Sequence, residues 1–142
     1  MVAMSCKKKD NCPSVNVTAP ASEVVTLKAY ITNNNIVATE DPRGFFYRIN
    51  TNGSGDKPSA CSSVSCSYVG KLTNGTTFDS NPNASFPLTG VILGWQEGVP
   101  LVSTGGSITL YLPPSLGYGS QNMQGIPPNS ILIFDIALKS FN

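Results

Sequence analysis

Apolar and polar residues alternate over short stretches in the second half of the chain, a pattern typical of β-strands with one buried face. In the clearest stretch, Ile108, Leu110 and Leu112 are separated by Thr109 and Tyr111. This stretch predicts a strand at residues 107–112 that is covered on one face. Runs of β-branched and aromatic residues, broken by Gly, Asn and Pro, predict further strands at residues 45–49, 64–71, 76–78 and 130–140.

A turn signal separates two of these predicted strands. Asn74-Gly75 lies between residues 64–71 and 76–78, and this dipeptide favours a two-residue β-hairpin loop. The sequence therefore predicts that these two strands pair with each other.

Helical spacing of apolar residues occurs at two places. Near the N-terminus, Val24, Leu27 and Ile31 follow one another at intervals of three or four residues, together with Tyr30. Ser22 is a suitable N-cap for a helix that begins at Glu23, and the asparagines at 33–35 would end it. We expect this helix to pack on the domain, and dimerisation through it is the alternative.

The second helical stretch lies within residues 91–102. Trp95 and Val99 are one turn apart, and Pro100 limits the helix to a short one. The sequence therefore predicts one short helix among the strands of this domain.

The composition excludes several classes of function. The chain has 142 residues, enough for one domain with a core of its own, and contains no His. The absence of His excludes Ser-His-Asp and Cys-His catalysis and His-containing zinc sites. Nine basic and eight acidic residues give a net charge of +1, which does not indicate nucleic-acid binding. After Asn81 only Glu97, Asp135 and Lys139 are charged, as suits a buried sheet and an uncharged ligand groove.

Four separated motifs carry the candidate chemistry, and their order matters more than any one of them. They are Gly75-Thr76-Thr77-Phe78-Asp79, Val91-Ile92-Leu93-Gly94-Trp95, Leu116-Gly117-Tyr118-Gly119, and the segment 126–135. Over roughly residues 44–142 the chain resembles the FKBP-type peptidyl-prolyl isomerases. The resemblance implies an α+β fold: a twisted antiparallel β-sheet wrapped around one short α-helix, here with an additional N-terminal helix.

The resemblance also implies the reaction. Rotation about an X–Pro peptide bond has a barrier of about 18–20 kcal/mol, because the resonance of the amide must be broken. No covalent bond is made or cut, so no nucleophile, metal or cofactor is required. The implied partners are proline-containing polypeptides, with macrolides as inhibitors of a monomeric catalytic domain. A non-catalytic binding module or chaperone of the same fold is the alternative.

The family pattern assigns roles residue by residue. Its catalytic positions fall on Tyr68, Phe78, Asp79, Ile92, Trp95, Tyr118 and Phe134. Its substrate-binding positions fall on Val91 and Ile126. In this pattern the Trp95 indole forms the base of a proline pocket, while the Ile92 N–H and the Tyr118 hydroxyl hold ligand carbonyls. Asp79 is a polar contact, and the remaining aromatic side chains are walls.

The sequence departs from the family pattern at three points. The segment between Leu88 and Val91 is shorter than in well-known members, and so is the loop at residues 120–125. Ala84 stands where those members often have another pocket aromatic. We expect these departures to affect substrate preference and macrolide affinity more than the basic activity.

The first ten residues resemble the end of a bacterial lipoprotein signal of the Bacteroidetes type. Small residues precede Cys6, and Lys7-Lys8-Lys9 follows it, although the apolar part of a signal is missing. This resemblance implies lipidation of Cys6, a membrane attachment through that lipid, and a place in the bacterial cell envelope. A cytosolic protein with a short basic tail is the alternative. The predicted organisation is a signal remnant and flexible tether at 1–20, a helix and linker at 21–42, and the isomerase domain at 43–142.

The cysteines left after Cys6 allow two disulfide pairings. Cys66 alternates with Val64 and Tyr68 on one face of a predicted strand, which favours a small buried core residue. Cys12 would then pair with Cys61, and a bridge between Cys61 and Cys66 is the alternative.

Overall fold

The computed structural model describes residues 12–142. Cys6 and the predicted lipoprotein signal therefore lie outside the described residues. Within residues 12–142, two α-helices and six strands follow in chain order: α1 (Ala21–Asn33), β1 (Thr39–Glu40), β2 (Phe46–Thr51), β3 (Ser63–Lys71), β4 (Thr77–Pro87), α2 (Leu93–Gly98), β5 (Ser107–Leu112) and β6 (Leu132–Phe141). None of the helices in this part of the chain has the length and apolar character needed to cross a membrane.

The six strands form one sheet in the order β1-β2-β5-β6-β3-β4, and every neighbouring pair is antiparallel. β6 lies near the middle, where Phe134 is opposite Leu110 of β5 and Ile136 is opposite Tyr68 of β3. The antiparallel sheet with its short helix confirms the predicted α+β fold class. The strand predicted at 107–112 is confirmed with its bounds.

The main core lies between α2 and one face of the sheet. The side chains of Leu110 and Leu112 project from β5 towards two glycines of α2, Gly98 and Gly94. A Cβ at either glycine would overlap the facing leucine, so these glycines let the helix approach the sheet closely. The short helix predicted at 91–102 is confirmed, and a 3₁₀ turn at Val99–Leu101, with Pro100 in it, ends it.

A second, smaller core covers the opposite face of the sheet. Leu27 and Ile31 of α1 pack against Phe46 of β2 and Tyr111 of β5. The prediction that α1 packs on the domain is therefore confirmed. The prediction of one covered face is wrong for β5, since Tyr111 is only 9% exposed beneath α1.

α1 begins two residues earlier than the sequence predicts. Pro20 is the N-cap residue, and its carbonyl accepts hydrogen bonds from the N–H groups of Glu23 and Val24. Ser22 is therefore inside the first turn and does not cap the helix. The C-terminal end is as predicted, because Asn34 is the C-cap and Asn35 adopts a positive φ of 53°.

The β3–β4 hairpin is longer and differently closed than predicted. The N–H of Leu72 donates to Thr76 and the N–H of Gly75 to Leu72, so the loop has three residues and ends on a left-handed Gly75 with φ of 90°. The prediction of a two-residue turn is therefore wrong, although the three-residue loop also places a glycine at its left-handed position. β4 continues to Pro87 instead of ending at Phe78. This extension was not predicted from the sequence because the exposed, polar residues of β4 hide the alternation of a strand.

The N-terminal segment lies against the domain from Cys12 onward. A disulfide joins Cys12 to Cys61, the first of the two pairings expected from the sequence, and Cys66 is free and buried. Further along, the guanidinium of Arg43 donates to the carbonyl of Val15 at 2.9 Å, and the Arg43 carbonyl accepts from the N–H of Ala19. The part of the predicted tether that the structure describes is thus held at several points.

Candidate functional site

A cavity of about 290 Å³ opens where α2 faces strands β3, β4 and β6. The loop from β5 to β6 closes one side of it. The lining residues are Tyr68, Asp79, Phe86, Gly90, Val91, Ile92, Trp95, Tyr118 and Phe134. Asp79 is the one charged residue among them, so the cavity is apolar with a single anionic group.

Trp95, at the start of α2, forms the base of the cavity. Its indole meets three aromatic rings edge to face: Tyr68 at 5.2 Å, Phe86 at 5.7 Å and Phe134 at 5.4 Å between centroids. Edge-to-face contacts are the favoured geometry of aromatic pairs. Only 4% of Trp95 is exposed, so the indole is closely packed by its neighbours.

Two neighbouring strands supply a polar pair at the cavity. The Tyr68 hydroxyl of β3 donates a 2.7 Å hydrogen bond to Oδ2 of Asp79 on β4. Burial raises the pKa of the Tyr68 hydroxyl well above its usual range, and the hydrogen bond to Asp79 raises it further. The hydroxyl therefore keeps its proton, and its hydrogen bond leaves the other lone pairs of Asp79 available at the cavity.

Tyr118 approaches the cavity from the β5–β6 loop, between Gly117 and Gly119. Gly119 has a φ of 59°, a left-handed conformation that a glycine adopts without strain. Burial and the negative charge of Asp79 both raise the pKa of Tyr118, burial more strongly. Its hydroxyl is therefore a neutral hydrogen-bond donor at physiological pH.

Ile92 lies where the chain enters α2. It is the N-cap residue, and its carbonyl accepts the N–H of Trp95 at 3.0 Å. The side-chain amide of Gln96 donates to the backbone carbonyl of Val91 at 2.7 Å, which fixes the backbone just before α2. An N-cap N–H has no partner in the helix it precedes, so the Ile92 N–H is a donor at the rim of the cavity.

The structure brings seven of the nine predicted site residues to the cavity lining. Phe78 and Ile126 are the two that it does not place there. Phe78 lies behind Phe134, with its ring edge-on at 5.5 Å, and Ile126 is buried in the main core. Both side chains therefore support the lining without forming it.

Two lining residues, Phe86 and Gly90, were missed in the sequence analysis, and of these Phe86 contributes an aromatic side chain. Ala84 was singled out as lacking an aromatic side chain, and Phe86 lies two residues further along β4, on the same face. Ala84 is instead buried in the core, opposite Cys66. The exposed polar residues after Phe78 hide the alternation of β4, so the predicted strand ended at residue 78 and Phe86 was not assigned to it.

Comparison with known proteins decides the family. The model of the FKBP-type peptidyl-prolyl cis-trans isomerase family matches residues 55–139. This chain belongs to the FKBP-type peptidyl-prolyl isomerase family. It is 46% identical over 100 residues to the isomerase FkpA of Buchnera aphidicola and 41% identical over 99 residues to FkpA of Escherichia coli K12.

The match covers 67% of this chain and 40% and 37% of those two FkpA proteins, so the chain spans about two fifths of their length. The crystal structure of FkpA from Escherichia coli superposes with a TM-score of 0.77 at 32% identity, covering 99% of this chain and 64% of that one. The superposition therefore includes α1, which lies outside residues 55–139.

The FKBP-type cavity limits the chemistry that this site can perform. It contains no Cys or Lys, and the described residues include no cluster of three or more acidic, Cys or His side chains that would hold a metal. What it offers is a rigid apolar surface, one carboxylate and two neutral donors. That set suits binding and distortion of an uncharged group.

Proposed function

We propose that this chain is a peptidyl-prolyl cis-trans isomerase that accelerates rotation about X–Pro bonds in exported polypeptides. The observation that carries the proposal is Trp95, fixed at the base of an apolar cavity by three aromatic edges. A proline ring fits such a surface, whereas a charged or extended side chain does not. Family membership adds support, since curated relatives carry this activity in their names.

Catalysis follows from how the cavity treats the amide. In the twisted transition state the amide loses resonance and becomes less dipolar, so an apolar cavity favours it over the planar ground state. The Ile92 N–H and the Tyr118 hydroxyl hold carbonyls of the substrate, and Asp79 provides a polar contact. Tyr68, Phe86 and Phe134 form the walls, with Phe78 and Ile126 behind them, while Val91 forms part of the edge of the cavity.

We assign proline-containing polypeptides as substrates and macrolides as inhibitors of the same cavity, with the domain acting as a monomer. A macrolide needs the same apolar base and the same two donors as the substrate. No cofactor has a role in this scheme, because the reaction changes only a torsion angle.

For location, we propose the bacterial cell envelope, with a lipid on Cys6 as the membrane attachment. The disulfide between Cys12 and Cys61 favours an oxidising compartment. In this organisation residues 1–20 are the remnant of the lipoprotein signal and a tether, 21–42 form the helix and linker, and 43–142 form the isomerase domain.

Refolding of a protein limited by proline isomerisation tests the proposed function. The slow phase of such refolding lasts tens of seconds or more without a catalyst, so acceleration is easily measured. Catalytic amounts of this chain should shorten that phase, and a macrolide should abolish the effect. Binding of the unfolded protein without acceleration would instead indicate a binding module or chaperone.

A further inference from the structure

The N-terminal helix α1 makes a polar contact with the loop that carries Tyr118. One carboxylate oxygen of Glu23 accepts the backbone N–H of Ser115 at 2.8 Å, and the other accepts the Ser115 hydroxyl at 2.7 Å. The two residues are 92 positions apart in the chain. Glu23 therefore ties the first turn of α1 to the start of the β5–β6 loop.

The contact with Glu23 holds a part of the loop that the hydrogen bonds within the loop do not include. Pro113 and Pro114 precede Ser115 and have no N–H to donate. The following turn is closed from within: Leu116 donates to the Pro113 carbonyl, and Gly117 and Gly119 both donate to the Pro114 carbonyl. Within the described residues, the N–H of Ser115 is held by Glu23, so the turn that leads to Tyr118 is fixed from outside by α1.

The same helix also holds the other end of the loop. Ile131, just before β6, packs against the small core formed by Leu27 and Ile31 of α1 with Tyr111. The N–H of Asn129 near that end donates to the Gly119 carbonyl at 2.7 Å, beside Tyr118. Both ends of the loop are thus attached to one helix, and the tyrosine lies between the attachments.

We infer that Glu23 is a positioning residue for the isomerase site: it holds the β5–β6 loop so that the Tyr118 hydroxyl faces the cavity. This inference rests on the proposed function for its effect on catalysis. It extends the functional unit to α1, which lies outside the residues 55–139 that the family model matches.

Two measurements on the full chain test the inference, with Glu23→Ala as the variant and Glu40→Gln as its matched control. Glu40 also makes a polar contact with α1, a salt bridge to Lys28 at 3.5 Å, but it does not touch the loop. The first measurement is amide hydrogen exchange by NMR. In Glu23→Ala the amides at 115–119 should exchange at least about tenfold faster, and in the control they should not change.

The second measurement is kcat/KM for a short X–Pro peptide. Glu23→Ala should lower it at least about threefold, Glu23→Gln by less, and neither should lower it further in a Tyr118→Phe background. Unchanged exchange at residues 115–119 would overturn the inference. So would an equal loss of activity in the Tyr118→Phe background, because the effect would then not pass through Tyr118.

The two measurements separate this inference from the proposed function. If the wild-type chain does not accelerate isomerisation, the proposed function fails, and the exchange data still decide whether Glu23 orders the loop. If the wild-type chain is active and the exchange is unchanged, Glu23 has no positioning role.

Discussion

The hydroxyl of Tyr68 and the carboxylate of Asp79 form a 2.7 Å hydrogen bond across the β3–β4 pair, at the rim of the aromatic cavity. Asp79 is exposed and is the one charged lining residue, so its replacement removes a polar contact without opening the core. Asp79→Val should therefore lower kcat/KM for an X–Pro peptide about tenfold or more, with little change in thermal unfolding.

The matched control is Ser80→Val, the next position on β4, which points away from the cavity lining. It introduces the same side chain into the same strand and should leave kcat/KM unchanged. A comparable loss of activity in both variants would show that the strand, not the carboxylate, was responsible.

Phe86 allows a prediction about the aromatic wall. Phe86→Ala removes one of the three rings that contact Trp95. Ser85→Ala, at the neighbouring position, is the control because Ser85 has no ring in contact with Trp95. We expect Phe86→Ala to raise KM, to cost about 2 kcal/mol of stability, and to shift the emission of Trp95, the single tryptophan, to longer wavelength. An unchanged emission spectrum would mean that Phe86 does not shield the indole.

The sequence predicted this site well where its residues belong to separated, ordered motifs. Trp95 and Tyr118 each follow a glycine, and Asp79 comes directly after the aromatic Phe78 near the start of β4, so their positions are marked locally. Phe86 was missed because β4 is an edge strand whose exposed polar residues show no clear alternation. This strand forms through its pairing with β3, which the sequence of β4 alone does not indicate. The cover that α1 gives Tyr111 also depends on tertiary packing and has no local signal.

The disulfide between Cys12 and Cys61 should contribute about 2–4 kcal/mol to stability, because it closes a loop between residues 49 positions apart. Dithiothreitol should therefore lower the melting temperature of the wild-type protein. Cys12→Ser should melt at the temperature of the reduced protein and no longer respond, while Cys66→Ala should still respond. A wild-type melting temperature that does not change with dithiothreitol would contradict the disulfide between Cys12 and Cys61.

Glu97 predicts an unusual dependence of stability on pH. It is 2% exposed, and neither carboxylate oxygen has a hydrogen-bond partner among the described residues. Burial raises its pKa to about 7. The positive charge of Arg43 opposes that shift, as does the nearby N–H of Val17, which lies outside hydrogen-bond geometry, and the negative charge of Asp41 adds to it. Burial therefore disfavours the charged form, and the folded protein holds a proton that the unfolded chain has released.

The sign follows from linkage. Because the folded pKa is above the ordinary value of 4.5, the stabilising proton is present at low pH and is lost as pH rises towards about 7. The free energy of unfolding should fall by up to about 3 kcal/mol over that range. Glu97→Gln should remove this slope and Glu40→Gln should keep it. Denaturant unfolding at pH 5 and pH 8 measures it, and a Glu97→Gln slope equal to wild type would refute the assignment.

The most direct test of the proposed function is NMR exchange between the cis and trans forms of a short X–Pro peptide. It compares the wild-type chain, Asp79→Val and Ser80→Val at equal concentrations of folded protein. We expect rapid exchange with wild type and Ser80→Val, slow exchange with Asp79→Val, and suppression of the wild-type rate by rapamycin. A wild-type rate no higher than the uncatalysed one, with the protein folded, would contradict the proposal that the aromatic cavity is an isomerase site.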